Sequence, residues 1–472
     1  MGAKILSHIH KSDPKRSKPF PTKSQTRCEI HLHSSLLTLK CGFAALKGAS
    51  ALNITIKNVR IIDPANSADK IGDLFIENGK IADKPASDSL VIDGSGLVAA
   101  PGLVDMHVHL RDPGYTAKED ILTGCCAAAA GGVTSLLAMP NTEPATDSPE
   151  TVEYILNKAA NATARVYVAA SVTKGLKSLE RCDIPALKAA GAIALTDDGR
   201  PVENTAFMAQ AMIEAEKENM AVVAHCEDLY LAKGGKINEG DVSQQLGIKG
   251  IPAAAEDCGT AREIALAAAY NVPIHICHVS TRTSVELIKD AKNRGVKVTA
   301  ETAPHYFSMD ETELLKRDAD YRMNPPLRTA QDVAAIKEAL KTGVLDAIAT
   351  DHAPHTEEDK ADFENAPNGS IGMETSLAAT LTNLYHTGEL SISEIVKLMS
   401  LNPAEILNIP AGTLSVGTNA DVVVFDPDEE WTVDVNRLHG KSKNCPFKGR
   451  TLKGKVKYTI LGGKIVYNDK EN

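Results

Sequence analysis

Residues 105–114 read DMHVHLRDPG. His107 and His109 flank one apolar residue and close an apolar run, 103–109, with the texture of a strand. Side chains alternate along a strand, so imidazoles two residues apart face the same way. Two converging imidazoles are natural ligands for a divalent cation such as zinc. The bare pattern is weak by itself, because His8-Ile9-His10 and His31-Leu32-His33 share it within a basic leader that has no strand repeat. What sets His107 and His109 apart is their company downstream. Asp198 in LTDDG, His225 in VVAHCED, His278 in IHICHVS and Asp351 in DAIATDHAPH each follow a separate apolar run. Each has an ordinary reading when taken alone. Asp197 and Asp198 before Gly199 suit a turn. His275 and His278 lie three apart and face opposite sides of a strand, so one suits the core. Six such residues at the ends of successive units are hard to ascribe to chance, since buried imidazoles and carboxylates are costly unless paired or metal-bound. A shared metal centre meets that cost for all of them.

Other residues would grip an acid. Arg111 lies two positions beyond His109 and so points into the same cavity, and a guanidinium binds carboxylate in a planar fork. Asn141 in MPNTEP, Asn324 in NPPLR, and His355, four residues after Asp351, are polar groups at strand ends. An Asn beside Pro or Thr also commonly caps a turn. The stretch 355–372 is polar and contains Gly and Pro, which fits either a mobile lid or a solvated loop.

These residues need a scaffold that brings distant strand ends together. Apolar runs at 103–109, 133–139, 164–171, 191–196, 221–226, 272–279, 296–302 and 344–350 alternate with Ala-rich helical stretches such as 119–130, 204–218, 256–270 and 283–293. That alternation predicts a (β/α)8 barrel, whose active sites lie at the C-terminal ends of the strands. A doubly wound open sheet is the rival, weakened by the lack of a GxGxxG or Walker motif at the first strand–helix turn. Short strands predicted at 53–62, 73–76 and 90–99, and again at 422–426, 431–434 and 455–468, suggest a small β-sandwich domain built from both termini. The expected division is a basic extension over 1–50, a composite β-domain from 51–100 plus 411–472, and a metal-dependent barrel over 101–410.

Bulk properties narrow the class. A formal net charge of -10 over 472 residues argues against non-specific nucleic-acid binding, and an anionic substrate must be held by local cations. No apolar run reaches the roughly 18 residues of a membrane-spanning helix. Nine cysteines without a Cys-x-x-Cys pair argue against a disulfide framework and a thiolate zinc site, and suggest the reducing cytoplasm. The first fifty residues hold nine Lys/Arg against two acids, as in a targeting segment, an unstructured tail, or a start placed too far upstream.

The string DMHVHLRDPG, followed in order by TDDG, VAHCED, CHVST, NPPLR and TDHAPH, resembles the class I bacterial dihydroorotases of the amidohydrolase superfamily, over roughly residues 51–470. The resemblance implies a (β/α) barrel beside a small β-domain. It implies one Zn2+ on His107, His109 and Asp351, a second on His225 and His278, and Asp198 between them; one zinc per chain is the alternative. Either Asp197 or Asp198 fits the bridge, and the spacing to His225 favours Asp198. In hydantoinases and dihydropyrimidinases a carboxylated lysine takes that place, and GAIALTDDG has no lysine there. By the same resemblance Asp351 is the catalytic base. Arg111, Asn141 and His355 hold a carboxylate, Asn324 orients the pyrimidine ring, and Asn368 and Gly369 offer backbone contacts, although Asn368 departs from the family's usual residue. The implied reaction interconverts N-carbamoyl-L-aspartate and L-dihydroorotate in pyrimidine biosynthesis, in a homo-oligomer that associates in some cases with aspartate transcarbamoylase. The rivals are a hydantoinase, dihydropyrimidinase or allantoinase, and a non-catalytic scaffold for the transcarbamoylase. Such scaffolds usually lack the ligands, and here all six are present.

Overall fold

The computed structural model describes residues 53–471. The basic leader, with its two His-x-His pairs, lies outside the described residues.

Eight strands form a parallel sheet in chain order: Leu103–Val108, Val133–Ala138, Arg165–Ala170, Ala194–Leu195, Ala221–Ala224, Ile274–Ile276, Val298–Thr302 and Ala347–Ile348. Each lies within one of the predicted apolar runs. The last returns to the first through a parallel bridge between Val108 and His352. There the His109 N–H donates to the His352 carbonyl at 2.8 Å, so the sheet is a nearly closed barrel. Val104, Met106, Leu137, Met139, Ala169, Ala194, Val223, Cys277, Ala347 and Ala349 fill its interior. Small residues on the later strands leave room for larger ones on the first two, as dense packing requires. Ala404, Leu407 and Ile409, on and just after the helix Asn402–Ile406, join the same cluster. Ser400 Oγ donates to the Gly102 carbonyl at 2.8 Å, which puts this plug at the N-terminal end of the first strand, opposite the candidate site.

Helices between the strands start where the sequence supplies a cap. Asp120, Ser148, Asp183, Asn204, Thr281 and Thr329 each accept a backbone N–H from the first turn of the helix that follows. Such a cap is worth about 1 kcal/mol. The helix Arg282–Asn293 shows why its sequence is helical, since its buried residues Ser284, Val285, Ile288 and Ala291 recur at helical spacing. Among the described residues no helix is long and apolar enough to cross a membrane.

The strands from the two ends of the chain form one further eight-stranded sheet. Val98–Pro101 joins its halves by pairing antiparallel with Val422–Thr432. Residues 431–434 do not make the separate strand predicted for them; 431 and 432 continue Val422–Thr432. Asp426 accepts the backbone N–H groups of Asp428 and Glu429 at 2.9 and 3.1 Å, so the chain bulges past Pro427 without ending the strand. The predicted run 455–468 splits into Thr451–Leu461 and Lys464–Asn468, turning at Gly462 and Gly463, both at positive φ.

Candidate active site

The first barrel strand carries a one-residue irregularity. Asp105 pairs with Leu136 but Val108 pairs with Ala138, so three steps on one strand match two on the next. This lets Val104 and Met106 face inward below and His107 and His109 face inward above. Asp105 anchors the bend. It accepts the Thr350 N–H at 3.0 Å, the Thr350 hydroxyl at 2.6 Å and the His107 N–H at 3.3 Å, joining the first strand end to the last. Arg111, His278 and Asp351 sit at φ 60°, 34° and 47°, in the left-handed region that non-glycine residues rarely adopt. Such backbone clusters at sites the surrounding fold holds in place.

The six residues singled out as ligands converge. His107 Nε2 lies 3.2 Å from Asp198 Oδ1 and 3.6 Å from Asp351 Oδ1. His109 Nε2 lies 3.1 Å from Asp351 Oδ1 and 3.4 Å from Asp198 Oδ2. On the other side of Asp198, His225 Nδ1 and His278 Nε2 lie 3.7 and 3.8 Å from Oδ1, and 2.8 Å from each other. His107, His109 and Asp198 form one group able to hold a metal, and Asp198, His225 and His278 another, with Asp198 in both. His107 Nε2 and Asp198 Oδ1 are buried without a hydrogen bond. Nitrogen and carboxylate lone pairs aimed at one another in a buried cluster suit divalent cations with N/O preference. Asp197 is turned elsewhere. It accepts the N–H groups of Val172 and Thr173 at 2.8 and 3.1 Å and the Thr173 hydroxyl, so it fastens the third strand end to the fourth.

A second ring of residues fixes the imidazoles. His107 Nδ1 meets Glu301 Oε1 at 2.9 Å, and His109 Nδ1 meets Asn141 Oδ1 at 2.7 Å. His225 Nε2 lies 3.4 Å from Glu227 Oε2, and Asn324 Nδ2 donates to both Glu227 oxygens at 3.2 Å. In each case one ring nitrogen faces an acceptor and the other faces the cluster, the arrangement that selects the ligating tautomer. Sequence reasoning missed Glu301 and Glu227. Their signals were a charged residue inside a barrel strand, VTAET, and a carboxylate two residues after His225. His275 points away from the ligands, to the Thr299 hydroxyl at 2.9 Å and Glu301 at 3.4 Å.

Burial opposes ionisation of Asp351, but His109, His107 and His278 overcome it and bring its pKa down to about 2. Asp198 is likewise held well below the usual carboxylate range, burial being outweighed by His107, His278 and His109. Burial opposes ionisation of Glu301 too, yet His107 and His275 lower it to about 2.

Beside this cluster, Arg111 Nε donates to the Pro354 carbonyl at 3.3 Å. His355 Nε2 lies 2.9 Å from the Asn368 carbonyl, while the Asn368 side chain accepts from Arg322 at 3.2 Å. Gly369 has φ 136°, and a Cβ there would stand 2.8 Å from the Ala353 carbonyl and 3.0 Å from His355 Nε2, so glycine is required. Lys360 donates to the carbonyls of Ala319, Arg322 and Pro367 at 3.0, 3.2 and 2.9 Å, which ties the stretch 355–372 to the body of the barrel.

A dihydro-orotase-like family model matches residues 96–284. A dihydroorotase of Geobacter metallireducens is 48% identical over 423 residues, covering 88% of this chain and 100% of that protein. One of Syntrophus aciditrophicus is 46% identical over 426 residues, covering 89% of this chain and 100% of that protein. The chain belongs to the dihydroorotase family. It shares its fold with solved cyclic amidohydrolases. The L-hydantoinase (dihydropyrimidinase) from Arthrobacter aurescens superposes with a TM-score of 0.79 at 25% identity, covering 88% of this chain and 96% of that one. The dihydropyrimidinase from Brevibacillus agri gives 0.78 at 27%, covering 89% and 96%.

Proposed function

We propose that the chain is a zinc-dependent dihydroorotase that interconverts N-carbamoyl-L-aspartate and L-dihydroorotate in the cytoplasmic route to UMP. The observation that carries this reading is the sharing of Asp198 by two histidine pairs, with Arg111 two residues beyond one of them. His107, His109 and Asp351 would hold one zinc, His225 and His278 a second, and Asp198 would bridge. A single zinc is the alternative. Bound there, zinc supplies Lewis acidity, which neutralises carboxylate charge and makes water a better nucleophile at neutral pH.

The chain's own residues then do the following. Arg111 pairs with the substrate carboxylate that takes no part in the reaction. His355 and Asn141 complete that grip, Asn324 and the backbone at Asn368 and Gly369 orient the ring, and His109 borders the same cavity. Asp351 is a carboxylate at neutral pH, the state a proton acceptor needs. In ring opening, water adds to the ring carbonyl carbon and its proton passes through Asp351 to the departing ring nitrogen. In ring closure the carbamoyl nitrogen attacks the side-chain carboxylate carbon, Asp351 takes the nitrogen's proton and hands it to the departing oxygen, and with one further proton from solvent that oxygen leaves as water.

A hydantoinase-like activity shares the fold but has no use for the Arg111 grip, and the Asp198 bridge departs from the lysine pattern. Assays with dihydroorotate, dihydrouracil, hydantoin and allantoin separate the readings. Turnover confined to dihydroorotate is expected, and turnover of the uncarboxylated rings alone would overturn the assignment. Assembly as a homo-oligomer, with or without a transcarbamoylase, is compatible with this chemistry and is read from solution mass.

A further inference from the structure

Lys118 lies on the loop between the first barrel strand and the helix Ile121–Ala130, the loop that also carries Arg111. Its Nζ stands 3.1 Å from His355 Nδ1 and 3.1 Å from Asp359 Oδ2. An ammonium only donates, so Nδ1 is the acceptor and the ring proton must sit on Nε2. The 2.9 Å contact from Nε2 to the Asn368 carbonyl agrees, because a carbonyl only accepts. Burial first, then the charges of Arg111 and Lys118, bring the His355 pKa down to about 3, so the ring is neutral at working pH. A neutral imidazole brings no charge, and its single N–H is already engaged by the Asn368 carbonyl. Positive charge in this pocket therefore comes from Arg111 and Lys118. Asp359 faces both Lys118 and His355, lying 3.6 Å from His355 Nδ1, and offsets part of it.

We propose that Lys118 is a specificity-determining residue for the substrate carboxylate: it fixes His355 as an Nε2–H donor and sets a second cation beside Arg111. This rests on the dihydroorotase reading. It differs from a structural role in which Lys118 serves only to pin the short helix Glu357–Lys360 through Asp359.

The test uses the zinc-loaded full chain, with dihydroorotate as substrate and orotate as a carboxylated, non-reacting competitor. Lys118→Met is expected to raise both the KM for dihydroorotate and the Ki for orotate about tenfold, with kcat within about threefold. Lys118→Arg, which keeps the charge and a donor, should recover most of the loss, and Asp359→Asn, which removes an offsetting negative charge, should raise neither constant. Lys118→Gln gives the same reading should the Met variant fold poorly. Unchanged KM and Ki in Lys118→Met or Lys118→Gln would overturn the proposal. So would Asp359→Asn reproducing the full loss, because Lys118 would then be only a latch. A zinc-loaded wild type that does not turn over dihydroorotate would overturn the functional reading itself, a result separate from any comparison of variants.

Discussion

At the scale of residues, the site divides into side chains that face the cluster and side chains that aim them. Glu301 belongs to the second kind, buried between His107 and His275. Replacing it by Gln should leave the fold and an acceptor in place but remove the charge that raises the basicity of the His107 ring, weakening metal retention by roughly 10- to 100-fold. Chelator competition with a zinc indicator measures this, and unchanged affinity would remove Glu301 from that role. Asp351→Asn should bind dihydroorotate nearly as well as wild type yet lose on the order of 10²–10⁴ in kcat, since the proton acceptor is gone. Arg111→Ala should act on KM instead, with kcat largely kept. The facing residues were legible in the sequence because each ends an apolar run. The aiming carboxylates Glu301 and Glu227 were not, because a contact such as His107 Nδ1 to Glu301 joins positions 194 apart in the chain. The choice between Asp197 and Asp198 was open for the same reason. Only the fold shows that Asp197 is already occupied by Val172 and Thr173.

At the scale of elements, the barrel strands were readable from apolar runs bounded by turn residues. The irregularity between Asp105 and Val108 was not, since it depends on register against the second strand. Nor was the continuity of Val422–Thr432 through Pro427, which depends on Asp426 capping its own bulge. One loop element carries a pH-dependent load. Glu119, just before the helix Ile121–Ala130, is fully buried, and burial raises its pKa from 4.5 to about 7 despite hydrogen bonds from Thr123 and the backbone of Asp120 and Lys441. A carboxyl raised in the folded state binds more protons folded than unfolded, so its contribution is full below pH 4.5 and is lost as pH rises through about 7. Relative to Glu119→Gln, the wild type should lose up to roughly 3 kcal/mol across that window. Urea unfolding of both proteins at pH 5 and pH 7.5 checks it, and parallel pH profiles would contradict it.

At the scale of the whole molecule, a chain of net charge -10 must bind a doubly anionic substrate through local positive charge. On the proposed reading, bound metal, Arg111 and Lys118 would provide it at the barrel mouth. Coverage of whole dihydroorotases by 88% of this chain accords with the similarity read from the motifs over roughly residues 51–470. The proposed function requires that these six residues hold catalytic zinc. Metal analysis of the purified chain, paired with dihydroorotate turnover before chelation, after chelation and after zinc is restored, tests it most directly. About two zinc ions per chain are expected, as a bridged pair of sites requires, with turnover abolished by chelation and regained on reloading; full turnover by metal-free protein would rule out a zinc-dependent mechanism.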